Sequence, residues 1–274
     1  MPRILLTPNS IRDRSNIFLT YPDLVVDVPV PHDLLFLGGA DWSIATELGL
    51  LRPEVPIMGF IQNTRHANLG SALRGWLGHF AIRVCVGEEV AQSILQTGEV
   101  NGPVRTITNG IESLDEWRLC RSARTTDILV SGCKDPVLAR TIGAQLANSG
   151  LCVEVLTDHC SRAEFLGKIQ SAKVAVLIPQ SQEGAFLPSL EAMALDVAVV
   201  CPDTPGIHGY CRHNETALLT DRSAESLSEA ARRLLADEEL SSRMRSNGLA
   251  VAQYYTLERE RAAFLPILAQ VLGI

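Results

Sequence analysis

The hydrophobic positions of this chain alternate between short β-branched runs and longer segments with apolar residues at helical spacing. The run KVAVLI at 173–178, for example, precedes several turn-forming residues and an amphipathic segment near Pro188. Such alternation is typical of a parallel sheet with helices on both faces. In the C-terminal half it predicts strands at 127–131, 152–157, 173–178, 197–201 and 216–220, and helices at 136–149, 162–171, 187–195 and 223–236.

The N-terminal half shows the same alternation in shorter and less regular elements. Residues 112–126 (ESLDEWRLCRSARTT) are polar and have no clean period, as is expected of a linker. Before this segment the pattern predicts strands at 3–7, 24–29, 34–38, 55–61, 83–86 and 104–107, and helices near 42–51, 70–82 and 88–97. The whole chain is therefore predicted to be an α/β protein.

The loop after the strand 173–178 carries the most informative chemistry. Glu183 and Gly184 follow that strand, a helix begins near Pro188, and Glu191 lies eight residues after Glu183. Free N–H groups at a helix start favour an anion, and a glycine lets a ligand approach the backbone closely. Two carboxylates placed in this way can hold hydroxyl groups on either side of a phosphate. The alternative is a buried strand–helix unit whose two glutamates bind nothing.

Residues 179–195 (PQSQEGAFLPSLEAMAL) resemble the Glu-x7-Glu signature of retaining glycosyltransferases with the two-domain GT-B fold, chiefly the family 4 type. The chain departs from the usual wording at Gln180, where serine is common, and at Ala185–Phe186, where Phe-Gly is common. The resemblance covers roughly 84–270 and is strongest over 173–245. It implies an enzyme that transfers a sugar from a nucleotide-sugar donor.

The resemblance also divides the chain into domains. It implies an acceptor-side domain at 1–112, a linker at 113–126 and a nucleotide-sugar-binding domain at 127–274, both domains being Rossmann-like. The C-terminal helix is expected to pack back across the two domains. The first domain is shorter than is usual in the family, and Pro8–Asn16 stands where a glycine-rich loop is usually found.

In this family the paired glutamates contact the donor. The resemblance implies that Glu183 is a catalytic-site residue that holds the sugar hydroxyls, and that Glu191 holds the ribose. Backbone N–H groups at the helix start would bind the phosphates and stabilise their charge. The residues that would supply them are Gly184, Ala185, Phe186 and Leu187.

Two further loops are implied in donor binding. The family carries an arginine and a lysine after the first strand of the second domain, and this chain has Ser131, Gly132, Cys133 and Lys134 there, so only the lysine is present. Family members often place a histidine against the donor sugar, which makes His66 or Asn63 the catalytic candidate in the first domain. The alternative is a polar surface loop at this position.

Charge and composition exclude several classes of protein. The net charge is −7 with both signs interspersed, which disfavours nucleic-acid binding. No apolar run is long enough to span a membrane and the N-terminus lacks an apolar leader, so a cytoplasmic location is expected. A peripheral contact with anionic lipid at the inner membrane face stays open through Arg65, His66, Arg74 and Arg83. Seven cysteines without a C-x-x-C pair predict buried free thiols.

Other phosphate-binding α/β enzymes have signatures that this sequence lacks. Neither Gly-x-Gly-x-x-Gly after the first strand nor Gly-Lys-Thr/Ser occurs, which disfavours dehydrogenases and P-loop NTPases. An ordinary α/β hydrolase is disfavoured because no Gly-x-Ser-x-Gly is present. Because no Asp-x-Asp occurs, neither a metal ion nor a cofactor is expected beside the nucleotide-sugar substrate. His208 and His213 are predicted to be surface histidines without an orienting carboxylate.

Two functions stay open at this stage. The first is a metal-independent, retaining hexosyltransferase that acts on a glycan, lipid-linked or small-molecule acceptor, for instance in polysaccharide biosynthesis. The second is a catalytically degenerate GT-B relative that binds a nucleotide or a protein partner. The paired glutamates favour the first function, and the missing arginine favours the second. The sequence does not indicate the acceptor or the oligomeric state.

Overall fold

The computed structural model describes residues 1–6, 10, 17–39, 41–120, 123–148 and 150–273. The strands are β1 Ile4–Leu5, β2 Val25–Val26, β3 Leu35–Gly38, β4 Ile57–Ile61, β5 Ile82–Cys85, β6 Val104–Thr106, β7 Thr126–Ser131, β8 Val153–Leu156, β9 Ala172–Leu177, β10 Ala198–Pro202 and β11 Leu218–Thr220. The α-helices are α1 Asp41–Glu47, α2 Glu88–Leu95, α3 Asp115–Leu119, α4 Pro136–Ala147, α5 Arg162–Ser171, α6 Leu187–Ala194, α7 Ala224–Ala236, α8 Glu238–Ala252 and α9 Leu257–Leu272.

The C-terminal domain is built on a five-stranded parallel sheet in the order β11-β10-β9-β7-β8. Successive residues of a strand face opposite sides of a sheet. Ile128 and Val130 therefore pack against α4 and α7, whereas Leu129 packs against α5 and α6. Both faces are buried, which explains the near-continuous apolar strands. The central strand is β9, and its carboxyl end leads into the loop that carries Glu183.

The N-terminal domain contains a four-stranded parallel sheet in the order β3-β4-β5-β6 and a separate pair of short strands, β1 and β2. Helix α2 packs on one side of the larger sheet, where Val90 and Ile94 contact Ile61 and Cys85. Helix α9 supplies Ile267 to a cluster with residues of β4 and β5. The C-terminal helix thus packs back across the domains, as predicted.

The chain crosses between the domains at two adjacent places. Ile111 donates its N–H to the Tyr255 carbonyl at 2.9 Å, and Leu257 donates to the Ile111 carbonyl at 3.1 Å. Next to them, a Cβ on Gly110 would lie 2.2 Å from the backbone of Thr256. Only a glycine permits this close approach. The two crossings are therefore hydrogen-bonded to each other.

Several sequence-based predictions of elements need correction. The helix expected near 70–82 is wrong, because the structure has only a 3-10 turn at Arg74–Gly78 there. The segment 113–126, predicted to be an irregular linker, contains the short helix α3. The loop Pro8–Asn16 lies outside the described residues except for Ser10, as does the end of the strand predicted at 3–7. The domain limits themselves stay a prediction.

The cysteines are free in the structure, but they are not uniformly buried. Cys85, Cys201 and Cys211 are buried, as predicted. The prediction is wrong for Cys120 and Cys152, which are exposed. In the part of the chain that the structure describes, no helix is both long and apolar enough to cross a membrane.

We expect Gly110→Ala to destabilise the protein by about 1–3 kcal/mol, because the added methyl group has to displace the backbone of the second crossing. Urea denaturation would measure this loss. Gly75→Ala is the matched control, since a Cβ at Gly75 meets no atom within 4 Å. Equal unfolding midpoints for the two variants would contradict the tight packing of the crossings.

Candidate functional site

Glu183 lies in the loop after β9, at the edge of the sheet where ligands of such folds bind. The residue is only 5% exposed. Its Oε1 accepts a hydrogen bond from Gln180 N at 2.9 Å and forms an ion pair with Lys134. The Lys134 Nζ also lies 5.2 Å from the centroid of the Phe186 ring. The structure thus brings together Glu183 and Lys134, which are 49 residues apart in sequence.

Glu191 lies in α6 and is 4% exposed. It forms an ion pair with Arg162, the first residue of α5, which also lies 3.8 Å from Glu112. Burial raises the pKa of Glu191, and Arg162 opposes that rise. Sequence analysis missed Arg162, because nothing in the local pattern indicates a partner 29 residues away. A ribose at Glu191 would have to share this carboxylate with Arg162.

The start of α6 differs from the sequence-based expectation. The Phe186 N–H donates to the Tyr210 hydroxyl at 2.7 Å, and that hydroxyl donates to the Gly206 carbonyl at 3.2 Å. The Phe186 amide is therefore not available to a phosphate in this conformation, contrary to the prediction. Tyr210 is buried, and burial raises its pKa, so its hydroxyl stays protonated. Leu187 packs against the core of the C-terminal domain.

Gly184 allows a close approach, but by the other domain rather than by a ligand. A Cβ on Gly184 would lie 1.9 Å from the Gln62 carbonyl oxygen. Ala185 next to it packs against the core cluster of the N-terminal domain. In this conformation the N-terminal domain covers the loop that was predicted to bind phosphate. A donor can reach Gly184 and Ala185 only after the domains separate here.

Ser131 and Gly132 shape the loop that presents Lys134. The Ser131 carbonyl accepts from Ile178 N at 2.9 Å, and Gly132 N donates to the Leu156 carbonyl at 2.9 Å. A Cβ on Gly132 would lie 2.5 Å from the Ala139 Cβ, so the glycine allows α4 to approach. These contacts show that both residues have a structural role in the loop. A role of Ser131 and Gly132 in nucleotide binding stays a prediction.

Asn63 contacts the loop that carries Glu183, and His66 lies buried in the turn that follows Asn63. Asn63 accepts from Arg65 N at 2.9 Å and donates to the Gln182 carbonyl at 3.1 Å, one residue before Glu183. His66 is buried, and burial, helped by Arg65, lowers its pKa to about 4. Among the described residues no hydrogen bond joins the His66 ring to Glu183. The structure therefore gives Asn63 a positioning contact, while a catalytic role of His66 stays a prediction.

The basic residues considered for lipid contact do not form an exposed patch. Arg83 is buried and donates to three carbonyls within residues 76–79, and His66 is buried as well. Arg74 is paired with an acidic side chain at 2.7 Å. Of these four residues only Arg65 is exposed and forms no ion pair with a described residue. The predicted lipid contact is therefore wrong for His66 and Arg83, which are buried.

His208 connects the two domains through carboxylates that the sequence did not reveal. Its Nδ1 lies 2.6 Å from Glu89 in α2, and its Nε2 lies 2.5 Å from Asp203 after β10. Glu89 also accepts a hydrogen bond from Gly206 N. The expectation of a histidine without an orienting carboxylate is wrong, because Glu89 is 119 residues away in sequence. His213 instead accepts a hydrogen bond from Leu219 N at 3.1 Å.

Comparison with known proteins tests the predicted resemblance. Residues 157–251 match the family described as glycosyl transferases group 1. The fold resembles that of TarM (TM-score 0.65, 13% identity, 88% of this chain and 55% of TarM). It also resembles HepE of Anabaena, solved with UDP-glucose (TM-score 0.66, 14% identity, 87% of this chain and 79% of HepE). A third similar structure is sucrose-phosphate synthase of Thermosynechococcus elongatus (TM-score 0.68, 15% identity, 97% of this chain and 82% of the synthase). A search of curated proteins gave no match.

These similarities confirm the predicted resemblance to GT-B glycosyltransferases of the family 4 type. The chain has the GT-B fold, with parallel sheets flanked by helices. It spans about 55% of the length of TarM and a larger share of the other two proteins. At 13–15% identity the structural similarities establish the fold, while substrates have to be argued from the site.

The His208 contact should depend on pH. Burial alone would lower the pKa of His208, but hydrogen bonds that the ring donates to Asp203 and Glu89 outweigh it and raise the pKa above 6.5. Protonated His208 therefore favours the contact between the domains. The stabilisation that His208 contributes is fully present below pH 6.5, and it is lost as the pH rises through the raised pKa of His208.

An NMR titration of the His208 ring tests this dependence. We expect a pKa above 6.5 in the wild type and a lower value in Glu89→Gln, which removes one of the two carboxylates. Glu88→Gln is the control, because Glu88 lies on the same helix but contacts Gln92 and Thr106 instead. Identical His208 titrations in the wild type and Glu89→Gln would contradict the contact.

Proposed function

We propose that this protein is a retaining glycosyltransferase that moves a hexose from a nucleotide-sugar donor to a carbohydrate-containing acceptor. The observation that carries this proposal is the pair of buried glutamates, Glu183 and Glu191, on either side of the start of α6. The pair lies inside the segment 157–251 that matches glycosyl transferases group 1. Support for a UDP-linked donor comes from HepE, whose structure was solved with UDP-glucose.

In the proposed reaction the protein orients the donor and stabilises the leaving group. Glu183 holds hydroxyl groups of the sugar, and Glu191 holds the ribose. The start of α6 and Lys134 face the phosphates, where negative charge develops as the glycosidic bond breaks. In a retaining reaction of this type a phosphate oxygen of the donor takes the proton of the acceptor hydroxyl on the same face. No protein base is then required.

Donor binding in this proposal requires the cleft to open. The Gln62 carbonyl lies against Gly184, and Asn63 and Asn68 donate to Gln182 at 3.1 and 3.0 Å. These contacts occupy the space next to the proposed phosphate site. We take the two crossings at Ile111 and Tyr255–Leu257 as the hinge, because the chain passes between the domains there.

A second candidate function is a degenerate GT-B protein that binds a nucleotide or a protein partner without transferring sugar. Two observations favour it. Cys133 stands where the resemblance implies a phosphate-binding arginine, and the Phe186 amide is already bound by Tyr210. Binding of a nucleotide without turnover of any nucleotide sugar would support this candidate over the first.

We expect the two glutamates to have separable effects when replaced by glutamine. Glu183→Gln should lower kcat by about a hundredfold and leave the Kd for UDP within about twofold, because Glu183 contacts the reacting sugar. Glu191→Gln should weaken UDP binding by about tenfold, because it removes a charged hydrogen-bond acceptor for the ribose. Titration calorimetry with UDP and UDP-glucose turnover measure the two effects.

Glu229→Gln is the control for both substitutions, since Glu229 is exposed on α7 away from the candidate site. Unchanged binding and turnover in both glutamate variants would contradict the site assignment. If UDP binding weakens in Glu191→Gln but the wild type has no measurable turnover, the result would favour a degenerate GT-B protein that binds a nucleotide without transferring sugar.

We also expect turnover to persist in excess EDTA. Within the described residues no group of three His, Cys, Asp or Glu side chains could hold a metal ion. In the proposed reaction the start of α6 and Lys134, rather than a metal ion, stabilise the negative charge of the leaving group. Turnover of UDP-glucose with EDTA, and after addition of Mg²⁺ or Mn²⁺, checks this. Activity that disappears in EDTA and returns with either ion would overturn the metal-independent donor site.

A further inference from the structure

The hydroxyl of Tyr210 occupies a backbone amide at the start of α6. It accepts the Phe186 N–H at 2.7 Å and donates its own proton to the Gly206 carbonyl at 3.2 Å. Phe186 and Tyr210 are both buried, so this hydrogen bond lies away from bulk water. A neutral oxygen of the protein thus fills the position at which the proposed donor would place a charged phosphate oxygen.

The turn that carries Tyr210 is fixed at several points. Tyr210 N donates to the Ile207 carbonyl at 3.1 Å, and the Tyr210 carbonyl accepts from the Thr216 hydroxyl at 2.6 Å. The Tyr255 ring packs edge-on against the Tyr210 ring, with 5.8 Å between the ring centroids, and the Tyr255 hydroxyl donates to the Gly209 carbonyl at 2.8 Å. Tyr255 also belongs to the second crossing between the domains. The chain therefore holds the Tyr210 hydroxyl at the amide through its own backbone and through the crossing.

The N-terminal domain holds the same turn from its other side. Glu89 of α2 accepts a hydrogen bond from Gly206 N and lies 2.6 Å from the His208 ring. The Gly206 backbone also packs against the loop after β9, since a Cβ on Gly206 would lie 2.8 Å from the Glu183 carbonyl. Gly206 therefore contacts α2, the Glu183 backbone and the Tyr210 hydroxyl. Separation of the domains breaks the first of these contacts and lets the turn move away from α6.

We propose that Tyr210 is an autoinhibitory residue, whose hydroxyl withholds the Phe186 amide from the donor phosphate until the domains separate. The identity of the competing anion rests on the proposed function. A phosphate oxygen has to displace the hydroxyl, because a backbone N–H is a single donor. The phosphate replaces it when the turn is free to move, because hydrogen bonds to a charged acceptor are stronger than those to a neutral one.

The hydroxyl also has a purpose in the ligand-free protein. A buried N–H without an acceptor is destabilising, and Tyr210 supplies the acceptor while no phosphate is bound. Binding of a donor then exchanges one hydrogen bond of the Phe186 amide for another, so the net gain in affinity is small. Without the hydroxyl, the same binding step would satisfy an unpaired amide. Removal of this one oxygen atom should therefore favour the bound state.

The first test compares the affinity of the full chain for UDP in the wild type, Tyr210→Phe and Tyr254→Phe by titration calorimetry. Tyr210→Phe keeps the ring and removes only the hydroxyl, so the Kd for UDP should fall by about fivefold, the equivalent of one hydrogen bond. Tyr254→Phe is the matched control, because Tyr254 is exposed and its ring packs against Arg259. An unchanged or weaker UDP affinity in Tyr210→Phe overturns the inference.

A second measurement uses the wild type alone and stays decisive if Tyr210→Phe does not fold. The chain has four tyrosines, so tyrosine labelled with carbon-13 at Cζ gives four NMR signals. The position of each signal depends on the hydrogen bonding of its hydroxyl. Saturating UDP should move the Tyr210 signal, because its hydroxyl loses the Phe186 donor, and should leave the Tyr254 signal in place. A Tyr210 signal that stays unchanged at saturating UDP overturns the inference.

Turnover of UDP-glucose separates this inference from the proposed function. UDP binding that tightens in Tyr210→Phe, without turnover in either protein, supports the inference and contradicts the proposed transferase. Turnover with equal UDP affinity in both proteins supports the transferase and overturns the inference. If UDP binds to neither protein, pyrophosphate is the probe: tighter binding to Tyr210→Phe supports the inference, and equal or no binding overturns it.

Discussion

The direct contact between Gly184 and the Gln62 carbonyl is the constraint on which the rest of the cleft depends. No side chain fits between the two backbones, because a Cβ on Gly184 would lie 1.9 Å from the Gln62 oxygen. The absence of a side chain at Gly184, which could let a phosphate approach the backbone, here lets the N-terminal domain approach it. Phosphate binding at Gly184 and this closed contact exclude each other, so the proposed donor binding requires the domains to separate here.

The two glutamates of the proposed donor site are held by cations on their more exposed side. Glu183 and Glu191 are buried, whereas 39% of the Lys134 side chain and 50% of the Arg162 side chain are exposed. A buried carboxylate without a partner would be strongly destabilising, so each cation stabilises its glutamate in the absence of a ligand. Both glutamate side chains are thereby oriented before a ligand binds. A ligand at either glutamate would replace the cation as its hydrogen-bonding partner.

Glu183 lies in the loop after the central strand, at the edge where the two covered faces of the C-terminal sheet meet. Helix α6 covers one face, and α4 and α7 cover the other. Glu183 pairs with Lys134 from the loop before α4, and Asn63 and Asn68 attach the other domain to the same loop after β9. One short loop therefore contacts both sides of the sheet edge and the N-terminal domain.

The sequence by itself determined the α/β architecture of the C-terminal domain, the start of α6 and the spacing of Glu183 and Glu191, because periodicity and turn chemistry are local properties. It failed at residues 70–82, where Gly70, Gly75 and Gly78 weaken a helix that the pattern favoured.

Only the tertiary structure decided which groups meet: Arg162 with Glu191, Tyr210 with Phe186, and Glu89 with His208. These partners are 24 to 119 residues apart, and tertiary packing, which no local pattern encodes, brings them together.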